Sequence, residues 1–406
     1  MNIPRMVKIR QLFNHDRIEN PAAELSRRLT QSGFLEKIKP GSRIAVTAGS
    51  RGINSIPSLL KTLIDELRHT GANPFIVPAM GSHGGGTAEG QLEMLDGLGI
   101  SEATMGVPII SSIETVELGK TASGTISYMD RNAYESDGIV IMNRIKIHTA
   151  FHGEVESGLC KMIAVGLGKR DGAATLHRHG LGNEIVECSR IARQKATILF
   201  GIGILENAFD EILDLEIVEA QDFEKADNKL LERCREIVPR VPFNSFDILI
   251  VDEMGKNISG TGMDTNIIGF WRRFGGEKIP DYRTLIVRDL TPESHGNAMG
   301  IGFADLTTRR LVDKIDFKPT YMNGIASATW AIVRIPITLD NDRECLRVAL
   351  EEHEPGEARI IRIKNTLELE ELYISENIAE AAKKRTDLEI IGSAEDMKFD
   401  DNGNII

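Results

Sequence analysis

A chain of 406 residues exceeds the size at which one hydrophobic core stops growing, so two domains are expected. Its 41% hydrophobic and 27% charged residues are those of a folded protein in water, and no apolar run reaches the roughly 20 residues of a membrane span. A net charge of −12 excludes non-specific nucleic-acid binding as the main task, because that affinity needs a basic face against phosphate, and leaves local basic clusters for small anions.

Met1-Asn-Ile-Pro-Arg5 lacks the apolar core of a signal peptide. Cys160, Cys188, Cys234 and Cys345 form no CxxC pair, so a reducing cytoplasm is expected and a cysteine zinc site is not. After a first helix around Pro21-Ala-Ala-Glu-Leu-Ser-Arg-Arg-Leu29, Ser42–Thr47 reads as a short buried strand. A turn, Ala48-Gly-Ser-Arg-Gly-Ile-Asn-Ser55, leads into a helix over 56–68, with Ser55 as N-cap and Pro57 in the first turn. Strand, Gly/Ser turn and helix suit an anion, which helix amides and Arg51 can hold, although the order matches neither a P-loop nor a dinucleotide fingerprint. A second such unit comes next in the chain: strand Asn73–Pro78, loop Ala79-Met-Gly-Ser-His-Gly-Gly-Gly86, and a helix capped by Thr87 with Gln91 near the capping-box position. His83 sits in that glycine-flanked loop, where a ligand can approach the backbone closely; on its own it reads equally well as an exposed turn histidine.

Residues 101–137 read as a β-rich excursion with strands at Val107–Ser111 and Gly124–Tyr128. The apolar run Gly138-Ile-Val-Ile-Met142 then predicts a buried strand, and open α/β sheets bind ligands beyond the carboxyl ends of such strands. The segment beyond it, Asn143 to Gly180, holds four of the nine histidines and six lysines or arginines. Lys161 lies in Ser157-Gly-Leu-Cys-Lys-Met-Ile-Ala-Val-Gly166, an apolar segment with helical spacing, where a lysine must snorkel, shift its pKa or be covalently occupied. His177 comes sixteen residues later. Taken singly, Lys161 is a helix-end cation and His177 a core imidazole; their company points to chemistry. Strands at 196–205 and 211–218 and an amphipathic helix at 222–238 precede Pro239-Arg-Val-Pro242, a domain boundary. The second half restarts with strand Phe246–Val251 and a dense loop, 252–273, containing Lys256 and Arg272.

Ser50-Arg51 in a post-strand turn, His83 in Gly-Ser-His-Gly, Lys146-Ile-His148 after a strand, Lys161, and His177 together resemble the nickel-pincer lactate racemase family from about residue 40 to 270. The resemblance implies that Lys161 anchors a pyridinium-derived mononucleotide of the 3,5-dithiocarboxylic acid type, that its carbon and two sulfurs hold nickel, and that His177 completes the square plane. A soft donor set with one imidazole suits Ni(II). It further implies that His83 and His148 are the acid/base pair, with His152 the alternative to His148. Arg51 and Ser50 fall to the cofactor, and Arg272 or Lys256 to the substrate carboxylate. The first turn departs from the family in having Ala48 or Gly49 where an aspartate is usual, and the interval from His148 to Lys161 is longer.

The fold expected is therefore two α/β domains with the active site in the cleft between them: an N-terminal domain over 1–240, with 385–406 as a candidate return to it, and a C-terminal domain over 245–384. The activity implied is a cytoplasmic racemase or epimerase of a small-molecule 2-hydroxy acid, with no nucleic-acid or membrane partner and room for a homodimer. Two rival readings are a zinc hydrolase using His148, His152 and His177 with Glu154 or Glu156 as general base, and a non-catalytic anion-binding homologue.

Overall fold

The computed structural model describes residues 2–50, 52–327 and 329–406. The chain forms two compact α/β units, Asn14–Val238, and Met1–Phe13 with Pro239–Ile406. Strand β1 (Met6–Gln11) thus belongs to the second unit. The first unit opens with β2 (Arg43–Ala48) and β3 (Asn73–Pro78), continues through the ribbon β4 (Thr115–Lys120) and β5 (Ile126–Asp130), and closes with β6 (Gly138–Arg144), β7 (Ile198–Glu206) and β8 (Ile212–Glu219). Its sheet runs β3-β2-β6-β7-β8, parallel except for the antiparallel edge strand β8.

Residues 138–142 are all buried, as a parallel strand covered on both faces requires. The helix Ile56–His69 buries Ile56, Leu59, Leu60, Leu63, Ile64 and Leu67 along one face. Each such aliphatic side chain stabilises by roughly 1.5–3 kcal/mol, well above the ~1 kcal/mol of an N-cap, so packing holds this helix. The cap is in fact absent: Ser55 has φ 58° and its hydroxyl bonds Asn54, not a helix amide. Thr87 does cap its helix, accepting from Gly90 N.

Because the chain passes from β2 outward to β3 and later returns to the other side of β2 with β6, the strand order reverses between β2 and β6. That is the switch point at which doubly wound sheets open a crevice beyond their carboxyl ends.

The second unit carries an eight-stranded sheet of β1 with β9 (Ile248–Val251), β10 (Thr284–Val287), β11 (Leu306–Thr308), β12 (Ile337–Leu339), β13 (Ile360–Ile363), β14 (Glu371–Ser375) and β15 (Leu388–Ile390), in the order β12-β11-β10-β9-β13-β14-β1-β15. Three expectations are corrected here. The first thirteen residues leave the N-terminal domain because β1 pairs with β14 and β15. Residues 385–406 do not return to the first unit, since β15 lies beside β1 and Glu395 bridges to Met6. Val107–Ser111 is no strand beyond one bridge from Ile109 to Ile76; β5 pairs instead with β4. Among the described residues no helix is long and apolar enough to cross a membrane.

Candidate active site

Three loops at the carboxyl ends of β2, β3 and β6 converge with one helix on a cavity of about 280 Å³ within the first unit. The turn after β2 contributes Gly49, Ser50 and Ile53. It is pinned from the end of β7, where the buried Glu206 accepts from Asn54 N at 2.7 Å and also takes the Arg144 guanidinium. The loop after β3 contributes Met80, Ser82 and His83, and the Ser50 hydroxyl hydrogen-bonds His83 Nδ1, joining the two loops. A hydroxyl can donate or accept, so both neutral tautomers of His83 remain open.

The segment after β6 is irregular and is organised by one buried carboxylate. Glu156 accepts from His148 N at 2.6 Å, Gly153 N at 3.1 Å and Arg235 at 2.7 Å, and pairs with His152 Nδ1 at 3.2 Å. Burial alone would raise its pKa, but His152 and these donors together hold it below the usual carboxylate range. Asn143 Nδ2 donates to Gly158 O at 2.7 Å, closing the segment onto the next helix. His148 lines the cavity, and its Nδ1 accepts from Ala150 N at 3.0 Å. A backbone N–H only donates, so the neutral ring carries its proton on Nε2.

The helix begins at Leu159, bears Lys161 at the end of its first turn, widens to a π-helical turn over Met162–Leu167, and resumes as Lys169–His179. π-Turns recur at functional sites because they displace side chains from the α-helical register. Its first amides are capped from another helix by Asp227, which accepts from Leu159 N at 2.8 Å and Cys160 N at 2.9 Å. Position 158 admits only glycine, since an added Cβ would stand 2.3 Å from Asp227 Oδ1. Asp227 is fully enclosed, and that burial pushes its pKa up to about 6 against the pull of the two amides.

The cavity brings together Ser50, His83, His148, Lys161 and His177, all from the sequence reading, with Met80, Met162 and Ile53 as apolar wall. His177 is exposed at the last turn of its helix and is not a core imidazole. Arg51 lies outside the described residues. His152 does not line the cavity; it turns to Glu156.

In the second unit, Lys256 Nζ donates to Gly260 O at 2.6 Å and Asn323 Oδ1 at 3.0 Å. Arg272 stacks against Trp271 and Tyr282 and donates to Phe303 O, Arg283 O and Asp305. Both terminal nitrogens of Arg272 are engaged this way, its side chain is only 5% exposed, and it lines a cavity of about 430 Å³ in its own unit.

The zinc reading is corrected. Among the described residues no three His, Cys, Asp or Glu side chains converge as a metal ion requires. Residues 148 and 152 are not on a helix, so spacing of four does not align them, and Glu156 already takes four donors, which leaves it no capacity as a general base.

Sequence reasoning missed the buried supports, namely Glu156, Asp227, Gln91 and Lys169. A signal existed for the first, one of two acids between His152 and an apolar helix, although the sequence reading cast it as a general base. None existed for Asp227, which comes from 68 positions away.

One family and two solved structures resemble this chain. The profile of the lactate racemase N-terminal domain matches residues 11–189. The fold is similar to that of the lactate racemase apoprotein from Thermoanaerobacterium thermosaccharolyticum, with TM-score 0.54 at 13% identity, over 89% of this chain and 98% of that one. It is also similar to a protein from Thermotoga maritima, with TM-score 0.50 at 14% identity, over 66% of this chain and 70% of that one. No curated protein matches the chain.

Proposed function

We propose, from the match of residues 11–189 to the lactate racemase N-terminal domain, that the chain is a lactate racemase-like isomerase, a racemase or epimerase of a small 2-hydroxy acid. The observation that carries the reading is the gathering of Ser50, His83, His148, Lys161 and His177 around one cavity at the sheet's switch point. The residues fit the family's nickel-pincer nucleotide: Lys161, half-buried at the cavity wall, would carry the covalent link, and His177 would supply the one protein ligand. When bound, that group supplies a reversible acceptor for the C2 hydride of the substrate.

The chain's own residues manage the protons. His83, oriented by Ser50, takes or returns the hydroxyl proton through Nε2 in the tautomer that places its own proton on Nδ1. His148 meets the substrate oxygen with Nε2–H, and becomes a base only in the other tautomer, for which the Ala150 amide must let go of Nδ1. Two such groups serve two enantiomers, since a planar oxo acid would take the hydride on either face of C2, with one histidine placed in each orientation to return the proton to oxygen. The apolar wall of Met80, Met162 and Ile53 excludes water from that intermediate. All four cysteines are buried and unpaired, which supports the cytoplasmic setting we propose.

The test is incubation of protein from its native host with single enantiomers of lactate and larger 2-hydroxy acids, read by chiral chromatography. The reading expects interconversion of at least one pair, lowered by about 10²–10⁴-fold in His83→Ala and in His148→Ala. Protein that carries the cofactor but racemises no 2-hydroxy acid would overturn it.

A further inference from the structure

Among the described residues Lys169 is the largest fully buried side chain, and it adopts φ +51°, a backbone region lysine seldom enters. It stands two turns beyond Lys161 on the same helical run but does not line the cavity. Its ammonium donates to Pro78 O at the end of β3 and to Gln91 Oε1 at 3.2 Å, and pairs with the buried Asp130 at 3.3 Å. Gln91, also fully buried, spends its amide nitrogen on the loop after β3, reaching Gly81 O at 3.0 Å and His83 O at 3.4 Å. The sequence pattern suggests a capping-box role for Gln91; its side chain goes inward instead. The same loop lies against the Lys161-bearing helix: Gly81 N donates to Gly166 O, and a Cβ at Gly166 would stand 2.8 Å from Ala79 O.

We propose that Lys169 is a positioning residue for His83, acting through Gln91 to fasten the histidine loop to the helix that carries Lys161. The proposal rests on the reading of His83 and Lys161 as parts of one site. Its content is a fixed separation between an acid/base group and an anchor that arise from distant parts of the sequence. Lys169 and Asp130 alone would account for stability, but they do not account for the second half of the Gln91 amide, which touches only the loop. A buried ion pair is in any case weak evidence for stability.

The informative variant is Gln91→Met, which removes both the acceptor for Lys169 and the donor to the loop while leaving Lys169 its partners Pro78 O and Asp130; Gln91→Glu, which keeps the acceptor for Lys169 and loses the donor to the loop, is the second. Two readouts apply. In cofactor-free protein, the His83 ring signals, assigned with His83→Gln, are followed by heteronuclear NMR. In protein loaded with cofactor, intact mass, kcat and KM are measured. The proposal expects shifted or broadened His83 signals in both variants, an adduct retained as in wild type, and kcat lowered by about 10–100-fold with little change in KM, since small misplacements of a catalytic group act on the chemical step. Unchanged His83 signals and unchanged kcat in both folded variants would overturn it. Because the NMR arm needs no turnover, a wild-type protein inactive on every 2-hydroxy acid would refute the proposed function while leaving this arm decisive.

Discussion

Replacing Asp227 by asparagine tests whether the cap of the Lys161-bearing helix is a strained carboxylate. Its pKa is raised by burial from 3.8 to about 6, so the folded protein binds the proton more tightly than the unfolded chain does. A raised carboxylate pKa adds no stability at neutral pH; its contribution is greatest below the unfolded value and is lost as pH rises from about 4 through about 6. Working the linkage with these two values, ionising Asp227 costs about 3 kcal/mol at pH 7.5 and about 1.6 kcal/mol at pH 5. Asparagine avoids that cost but turns an N–H toward Leu159 N or Cys160 N, a penalty of about 1–3 kcal/mol that does not change with pH. The variant is therefore expected to be close to wild type at pH 5 and more stable than it, by up to about 2 kcal/mol, at pH 7.5. Trp271 and Trp330 both belong to the other unit, so tryptophan fluorescence is not a local probe of this segment. Hydrogen exchange of the 159–167 segment, corrected for intrinsic rate, is the suitable assay. The ratio of variant to wild-type protection should rise about tenfold between pH 5 and 7.5, the equivalent of about 1.4 kcal/mol. A ratio flat with pH would refute the reasoning.

Lys161→Ala and Lys161→Arg should both fold, by circular dichroism, and both lack the organic adduct by intact mass, because a guanidinium cannot replace the amine in the anchoring bond. His177→Ala should lose nickel by elemental analysis while keeping the adduct, since only the protein's ligand disappears. His152→Ala, whose ring points to Glu156 and away from the cavity, should lower kcat far less than His148→Ala does; the reverse order would exchange their roles. In wild type, ¹⁵N NMR of His148 at pH 7.5 should show the Nε2–H tautomer, and a proton on Nδ1 would contradict the Ala150 contact.

The elements nearest the site were the most legible. Apolar runs marked β2, β3 and β6, and because ligands sit beyond the carboxyl ends of such strands, Ser50, His83 and His148 could be placed without knowing a single contact. Long-range pairing was not legible. Met6–Gln11 alternates like a half-buried strand, but nothing local says that its partner is Glu371–Ser375 at the far end of the chain. Polar residues that turn inward were equally hidden. Gln91 stands next to a capping-box position and Lys169 has the look of a surface cation, and only tertiary packing makes them a buried pair. The partners of Arg272 were hidden in the same way, since Tyr282 and Asp305 lie beyond its own loop in sequence.

The most direct test of the account is peptide mapping by mass spectrometry, with parallel nickel analysis, of protein purified from its native host. The account predicts a covalent nucleotide-derived adduct on the peptide containing Lys161, and nickel in proportion to it. An unmodified Lys161 in protein that nonetheless racemises a 2-hydroxy acid, or an adduct on Lys169, would contradict it.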